Sequence, residues 1–256
     1  MKYGICCPID DIALAESVGF DYIEPNASAT AALSDEEFEQ KKELVAAAGI
    51  KCECFNVLFP STITLLGKDA SDWSVVEAHL HKVFTRVTAF GGELCVFGSG
   101  GPRKCPPDLI FFDAHRQLAE ITAKIGKIAA NYGVTIAVEP LNHTETNTIN
   151  TLPEGAMLVA QVNMENVKLL TDGFHMFTDD EPLDNIKRAG AFAHVHIATK
   201  EGRRYPMRKD EMLTEFFANL CEIDYDARIS IEGSTENFVD DGKKALALLK
   251  EITYIT

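Results

Sequence analysis

The chain has no run of 18 or more apolar residues, and Met1-Lys2 leads directly into an apolar strand pattern without a secretory leader, so neither a membrane-spanning helix nor a signal peptide is expected. Basic residues are scarce. The 24 Lys and Arg against 39 Asp and Glu leave a formal net charge of −15, which repels phosphate backbones and anionic membranes. Glycine is missing where a dinucleotide-binding sheet needs it, because the first strand pattern is followed by Cys6-Cys7-Pro8-Ile9-Asp10 instead of a glycine-rich turn. The seven cysteines are odd in number, and Cys52-x-Cys54 has no second pair at zinc-ribbon spacing. Reduced, mostly buried thiols follow. No linker or low-complexity segment divides the 256 residues. These absences leave a cytoplasmic protein of one domain, 1–256, with no nucleic-acid or membrane partner.

What the sequence does contain is an alternation. Short apolar stretches at 2–7, 21–25, 52–57, 94–98, 135–139, 167–172, 193–197 and 228–232 read as strands. Helical patterns fall between them near 10–18, 35–48, 72–90, 107–132, 152–162, 182–189, 208–222 and 238–252. Gly19, Gly49, Gly91, Gly133 and Gly190 stand where helices would end in the left-handed conformation. Ser34-Asp-Glu-Glu37 and Thr151-Leu-Pro-Glu154 fit a capping box. Strict alternation implies a parallel sheet covered by helices, and eight repeats at this length predict an α/β fold, a (β/α)8 TIM barrel. Two loops stand out. Residues 56–67 are apolar enough to form a water-excluding lid or a subunit contact, and 199–209 carry Arg203 and Arg204.

Four strand patterns end in residues that can ligate a metal: Glu139, Asp172, His196 and Glu232, spaced by 33, 24 and 36 residues. One strand and its crossover need roughly 30 residues, so the four belong to consecutive strands, and a barrel collects strand ends at one mouth. Three carboxylates there require a cation, or repulsion raises at least one pKa. Oxygen-rich ligation with one imidazole suits Mn²⁺, Mg²⁺ or Co²⁺, with Zn²⁺ also compatible. Such an ion can polarise a carbonyl and stabilise the enediolate formed when the adjacent carbon loses a proton. Glu139 and Glu232 then form an acid/base pair. His194 shares a face with His196 one layer deeper and reads as a hydrogen-bonded core residue, while His175 lies just past Asp172, close to the site. His79, His81 and His115 fall in helical patterns and are assigned structural roles.

With Glu139-Pro-Leu-Asn-His-Thr-Glu145-Thr-Asn, Asp172-x-x-His175, His194-x-His196 and Ile-Glu232-Gly, the chain resembles the ketose 3-epimerases typified by D-tagatose and D-psicose 3-epimerases, within the xylose isomerase-like TIM barrels. The resemblance covers essentially the whole chain. It implies that Glu139, Asp172, His196 and Glu232 hold a divalent metal, first of all Mn²⁺, with Glu139 and Glu232 catalytic. Glu145, His175 and Arg203 would hold substrate hydroxyls. It also implies a sugar substrate and a homodimer or homotetramer. His143 stands where related sequences often carry arginine, and the arginine after strand seven is displaced by one place, so Arg203 and Arg204 both remain open. The wider group includes aldose/ketose isomerases such as hydroxypyruvate isomerase, inosose dehydratase-type lyases and an apurinic endonuclease, so fold alone does not choose the reaction. The charge disfavours the last.

Overall fold

The computed structural model describes residues 1–254. Eight parallel strands form one sheet: β1 (Lys2–Cys6), β2 (Tyr22–Glu24), β3 (Cys54–Phe55), β4 (Leu94–Phe97), β5 (Thr135–Val138), β6 (Val167–Asp172), β7 (Phe192–Ile197) and β8 (Arg228–Ile231). Their order is β2-β1-β8-β7-β6-β5-β4-β3. The two end strands meet through single parallel bridges, Tyr22 to Lys51 and Asn26 to Asn56. The sheet thus curls into a nearly closed TIM barrel, as the eight repeats predict.

Strand alternation divides the core in two. Outward-facing residues such as Ile5, Phe97, Val138, Val195 and Ile231 join the large apolar layer beneath the helices. Inward-facing Tyr22, Cys54, Leu94, Val96, Ala137 and Leu170 form a smaller cluster inside the barrel. Gly4 belongs to this inner set, and a Cβ there would lie 2.3 Å from the Tyr22 ring. The glycine makes room for an aromatic plug.

Several local expectations need correction. Gly19, Gly91, Gly133 and Gly190 have positive φ, whereas the helix Asp35–Ala47 ends through extended Ala48 and Gly49 instead donates its amide to Glu16 Oε1 at 3.1 Å. Ser34 and Glu37 form a complete capping box. At the other site Thr151 accepts from the Glu154 amide, but the Glu154 carboxylate turns to the Asn150 amide. Short helices Ala27–Ala32 and Gly173–Thr178 were not foreseen, and the helix expected at 107 starts only at Phe111, after the Pro106-Pro107 turn. In the apolar loop, Leu58, Phe59, Ile63, Leu65 and Leu66 are buried in the chain's own core. No helix among the described residues is long and apolar enough to cross a membrane.

Candidate metal centre

The last inward-facing position of each strand, at its C-terminal end, is Cys6, Glu24, Asn56, Gly98, Glu139, Asp172, His196 or Glu232. Glu139, Asp172, His196 and Glu232 converge, with one ligand atom from each lying within 4.8 Å of every other. Nδ1 of His196 is 3.1 Å from both Glu139 Oε1 and Glu232 Oε2. Asp172 ends β6 and caps the short helix after it, its Oδ1 accepting from the Phe174 amide at 2.8 Å. Its buried Oδ2 has no hydrogen-bond partner. An orphaned carboxylate oxygen facing two other carboxylates and an imidazole nitrogen is a donor set that fits a divalent cation.

The electrostatics follow from burial and crowding. Burial, with the neighbouring charges of Glu139 and Glu232, pushes Asp172 up to about 7 despite the opposing Arg203. Burial also raises Glu139, with Glu232 adding to the shift against the pull of His196. For Glu232 burial acts in the same sense but is outweighed by His196 and Arg203, which bring it down to about 2. His196, which burial alone would depress, is held well above its ordinary value by Glu24 and Glu232. The crowded carboxylates are therefore driven apart, Asp172 and Glu139 upward and Glu232 downward.

Two features hold Glu139 in place. A Cβ on Gly98 would lie 2.1 Å from Glu139 Oε2, so the carboxylate occupies space that only glycine leaves. Arg103, fully buried, donates to the Phe97 carbonyl at 3.0 Å and to the Glu139 carbonyl at 2.7 Å. Gly98→Ala is expected to displace the Glu139 carboxylate and weaken divalent-metal binding about tenfold or more, as disturbed outer contacts of a ligand do. Calorimetric titration with Mn²⁺ checks it, and unchanged affinity would show that the carboxylate has another place to go.

Beside the four ligands lie the other residues named from the sequence. Arg203 Nη2 is 2.5 Å from Glu232 Oε2 and 3.5 Å from Asp172 Oδ2, and Nη1 is 3.4 Å from Glu145 Oε1. Its guanidinium lies over the Phe174 ring, 4.5 Å from the centroid. The choice between the two arginines is made by the backbone: Thr199 N donates to Arg204 O at 2.9 Å and Ser234 N to Arg203 O at 2.8 Å, and Arg203 has a φ of 48°. This loop turns Arg203 inward, while the Arg204 guanidinium lies 3.7 Å from exposed Glu236. His175 is buried; its Nδ1 accepts from the Asn142 side chain at 2.8 Å, and its Nε2 lies 3.4 Å from Asp172 Oδ2. Burial and Arg203 lower it to about 3, so it stays neutral. His143 is exposed, its Nδ1 2.6 Å from Asp179 Oδ2. His79, His81 and His115 contact Leu58 O, the Tyr132 hydroxyl and Gln161 at the barrel's outside. A cavity of about 390 Å³ is lined among others by Cys6, Glu24, Asn56 and Val57, of which Glu24 contacts His196 and Asn56 contacts Glu232.

A family model described as Xylose isomerase-like TIM barrel matches residues 12–252. The chain belongs to that family. The D-psicose 3-epimerase of Ruminiclostridium cellulolyticum is 33% identical over 115 residues, 44% of this chain and 39% of that one. The inosose isomerase of Bacillus velezensis is 23% identical over 236 residues, 87% and 81% of the two chains. A solved D-psicose 3-epimerase with D-tagatose from Clostridium cellulolyticum H10 superposes with a TM-score of 0.85 at 22% identity, covering 99% of both chains. The sequence matches to the first four curated relatives span only 38% to 42% of their length.

Three residues of this xylose isomerase-like barrel were not singled out from sequence. Glu24, fully buried, lies 2.9 Å from His196 Nε2 and 2.8 Å from His194 Nε2. Asn56 donates to Glu232 Oε1 at 3.2 Å. Arg103 holds the Glu139 backbone. A signal for the first was present, since Ile23-Glu24-Pro25 repeats Val138-Glu139-Pro140. His194 is the buried, hydrogen-bonded residue expected, bonded to Glu24 and near the Arg228 carbonyl.

Proposed function

We propose that the chain is a metal-dependent sugar epimerase or isomerase that moves a proton on a carbon beside a carbonyl, with C3 of a ketose as the site. The observation that carries this is the pairing of Glu139 and Glu232. They come from strands three places apart round the barrel, yet both carboxylates meet the same His196 nitrogen at 3.1 Å. A substrate carbon between them can lose a proton to one side and regain it from the other.

In this reading Glu139, Asp172, His196 and Glu232 hold the cation, Mn²⁺ first and Mg²⁺, Co²⁺ or Zn²⁺ as alternatives, given three oxygens and one nitrogen. The ion supplies positive charge against the substrate oxygen that becomes negative on proton loss. Glu232 and Glu139 stand on two sides of the centre, one to take the proton and the other to return one to the opposite face. Arg203, Glu145 and neutral His175 surround the centre as donors and acceptors for hydroxyls.

A second reading, isomerisation of an inosose, is favoured by the longer match to an inosose isomerase, which spans 87% of this chain. Proton exchange separates the two. Metal-stripped protein with and without restored Mn²⁺, incubated in D₂O with free ketoses, should place deuterium at C3 and give a new epimer only when metal is present. Deuterium at C1 or C2 with an aldose would mean aldose/ketose isomerisation. Exchange confined to inososes would select the second reading, and loss of water from the product would mean a lyase.

A further inference from the structure

The carboxylate of Glu24 is fully buried behind the metal centre and takes no part in the proton transfers above. Its Oε1 lies 2.9 Å from His196 Nε2. Its Oε2 lies 2.8 Å from His194 Nε2 and 2.6 Å from the Ser230 hydroxyl, and the Tyr22 hydroxyl is 2.9 Å from Ser230. Both oxygens are thus engaged, which stops the carboxylate from rotating. The layer beneath, with Tyr22 seated over Gly4, backs the arrangement.

We propose that Glu24 is a positioning residue that fixes the His196 tautomer, keeping the ring proton on Nε2 so that Nδ1 offers its lone pair to the cation. The inference rests on the reading of His196 as a metal ligand. An imidazole has one proton to place when it binds a metal, and the second nitrogen's partner decides where it goes. Here the second nitrogen meets a carboxylate that accepts, while Nδ1 points between Glu139 and Glu232, on the side of Asp172. The opposite tautomer would set a lone pair against a buried carboxylate and a proton against the incoming cation. The orientation of His196 is therefore set from strand β2, which carries none of the four ligands.

Glu24→Gln keeps the side chain's shape and weakens its acceptor. Calorimetric titration with Mn²⁺ should show affinity reduced 10- to 100-fold, with the metal-free unfolding midpoint close to that of the parent. Nitrogen-15 NMR of histidine-labelled, Zn²⁺-loaded protein should show His196 protonated at Nε2 and metal-bound at Nδ1. A proton found on Nδ1 with Zn²⁺ on Nε2 overturns the proposal, and so does unchanged Mn²⁺ affinity in Glu24→Gln. Should the variant fail to fold, the spectrum of the parent protein still decides. His196→Ala provides the separate control: undiminished metal binding there removes the ligand reading itself, whereas its loss together with wild-type affinity in Glu24→Gln removes only the role of Glu24.

Discussion

Glu139→Gln and Glu232→Gln should each lower turnover by about 10³-fold or more, because an amide cannot exchange protons at neutral pH and general acid–base catalysis alone contributes roughly 10² to 10⁴. Both residues also belong to the four-residue cluster proposed to hold the cation, so the loss has two components. Measuring bound metal and raising Mn²⁺ until the variants are loaded separates them; the fraction of the loss that survives loading is the proton-transfer share. A more specific signature is available. With one carboxylate removed, the other can still take a proton from its own face and return a deuteron there, so each variant should label one epimer at C3 in D₂O without converting it. The two variants should label opposite epimers. If both label the same epimer, or if either converts substrate at the parent's rate once loaded, the pair does not act from two faces.

Glu139, Asp172, His196 and Glu232 were legible because a barrel makes strand ends converge: a period of roughly 30 residues and an apolar run ending in a ligand were enough. That two of them stand one residue past their strands, after Val138 and Ile231, changes nothing, since the inward face continues into the loop. Glu24 carries the same signature before Pro25 but ends a strand only three residues long, and a short strand offers little alternation to read. Arg203 could not be told from Arg204 because the choice lies in a loop whose turn uses a positive φ at a non-glycine residue. The composition of residues 56–67 could not distinguish a lid from a subunit contact, as both bury Leu and Phe. Arg103 lies in the loop after β4, and only the assembled fold shows the two carbonyls it binds.

Arg103→Met should destabilise the protein by about 3 kcal/mol, lowering the unfolding midpoint by roughly 10 °C for a chain of this size. Two opposing effects enter. Burying a guanidinium is costly, and burial pushes Arg103 down to about 10, so it still enters the core as a cation at neutral pH. Its nearest partners are not a carboxylate pair but the carbonyls of Phe97 and Glu139, at 3.0 and 2.7 Å, and its Nε has no partner. Where an ion pair is replaced whole by apolar residues, stability can be kept, because both charges leave together. Here the carbonyls stay behind, at the ends of β4 and β5: Phe97 O keeps the Glu139 amide at 3.3 Å but loses a charged donor, and Glu139 O loses its Arg103 donor, a buried orphan costing about 1–3 kcal/mol. Loss outweighs relief. Arg103→Lys can satisfy one carbonyl well and should fall between the parent and the Met variant, which separates lost hydrogen bonds from lost volume. Because one of the two carbonyls belongs to Glu139, metal affinity should fall in the same order as stability. A Met variant that melts at the parent's temperature would mean that the strand ends find other donors and that Arg103 does not hold Glu139 in place.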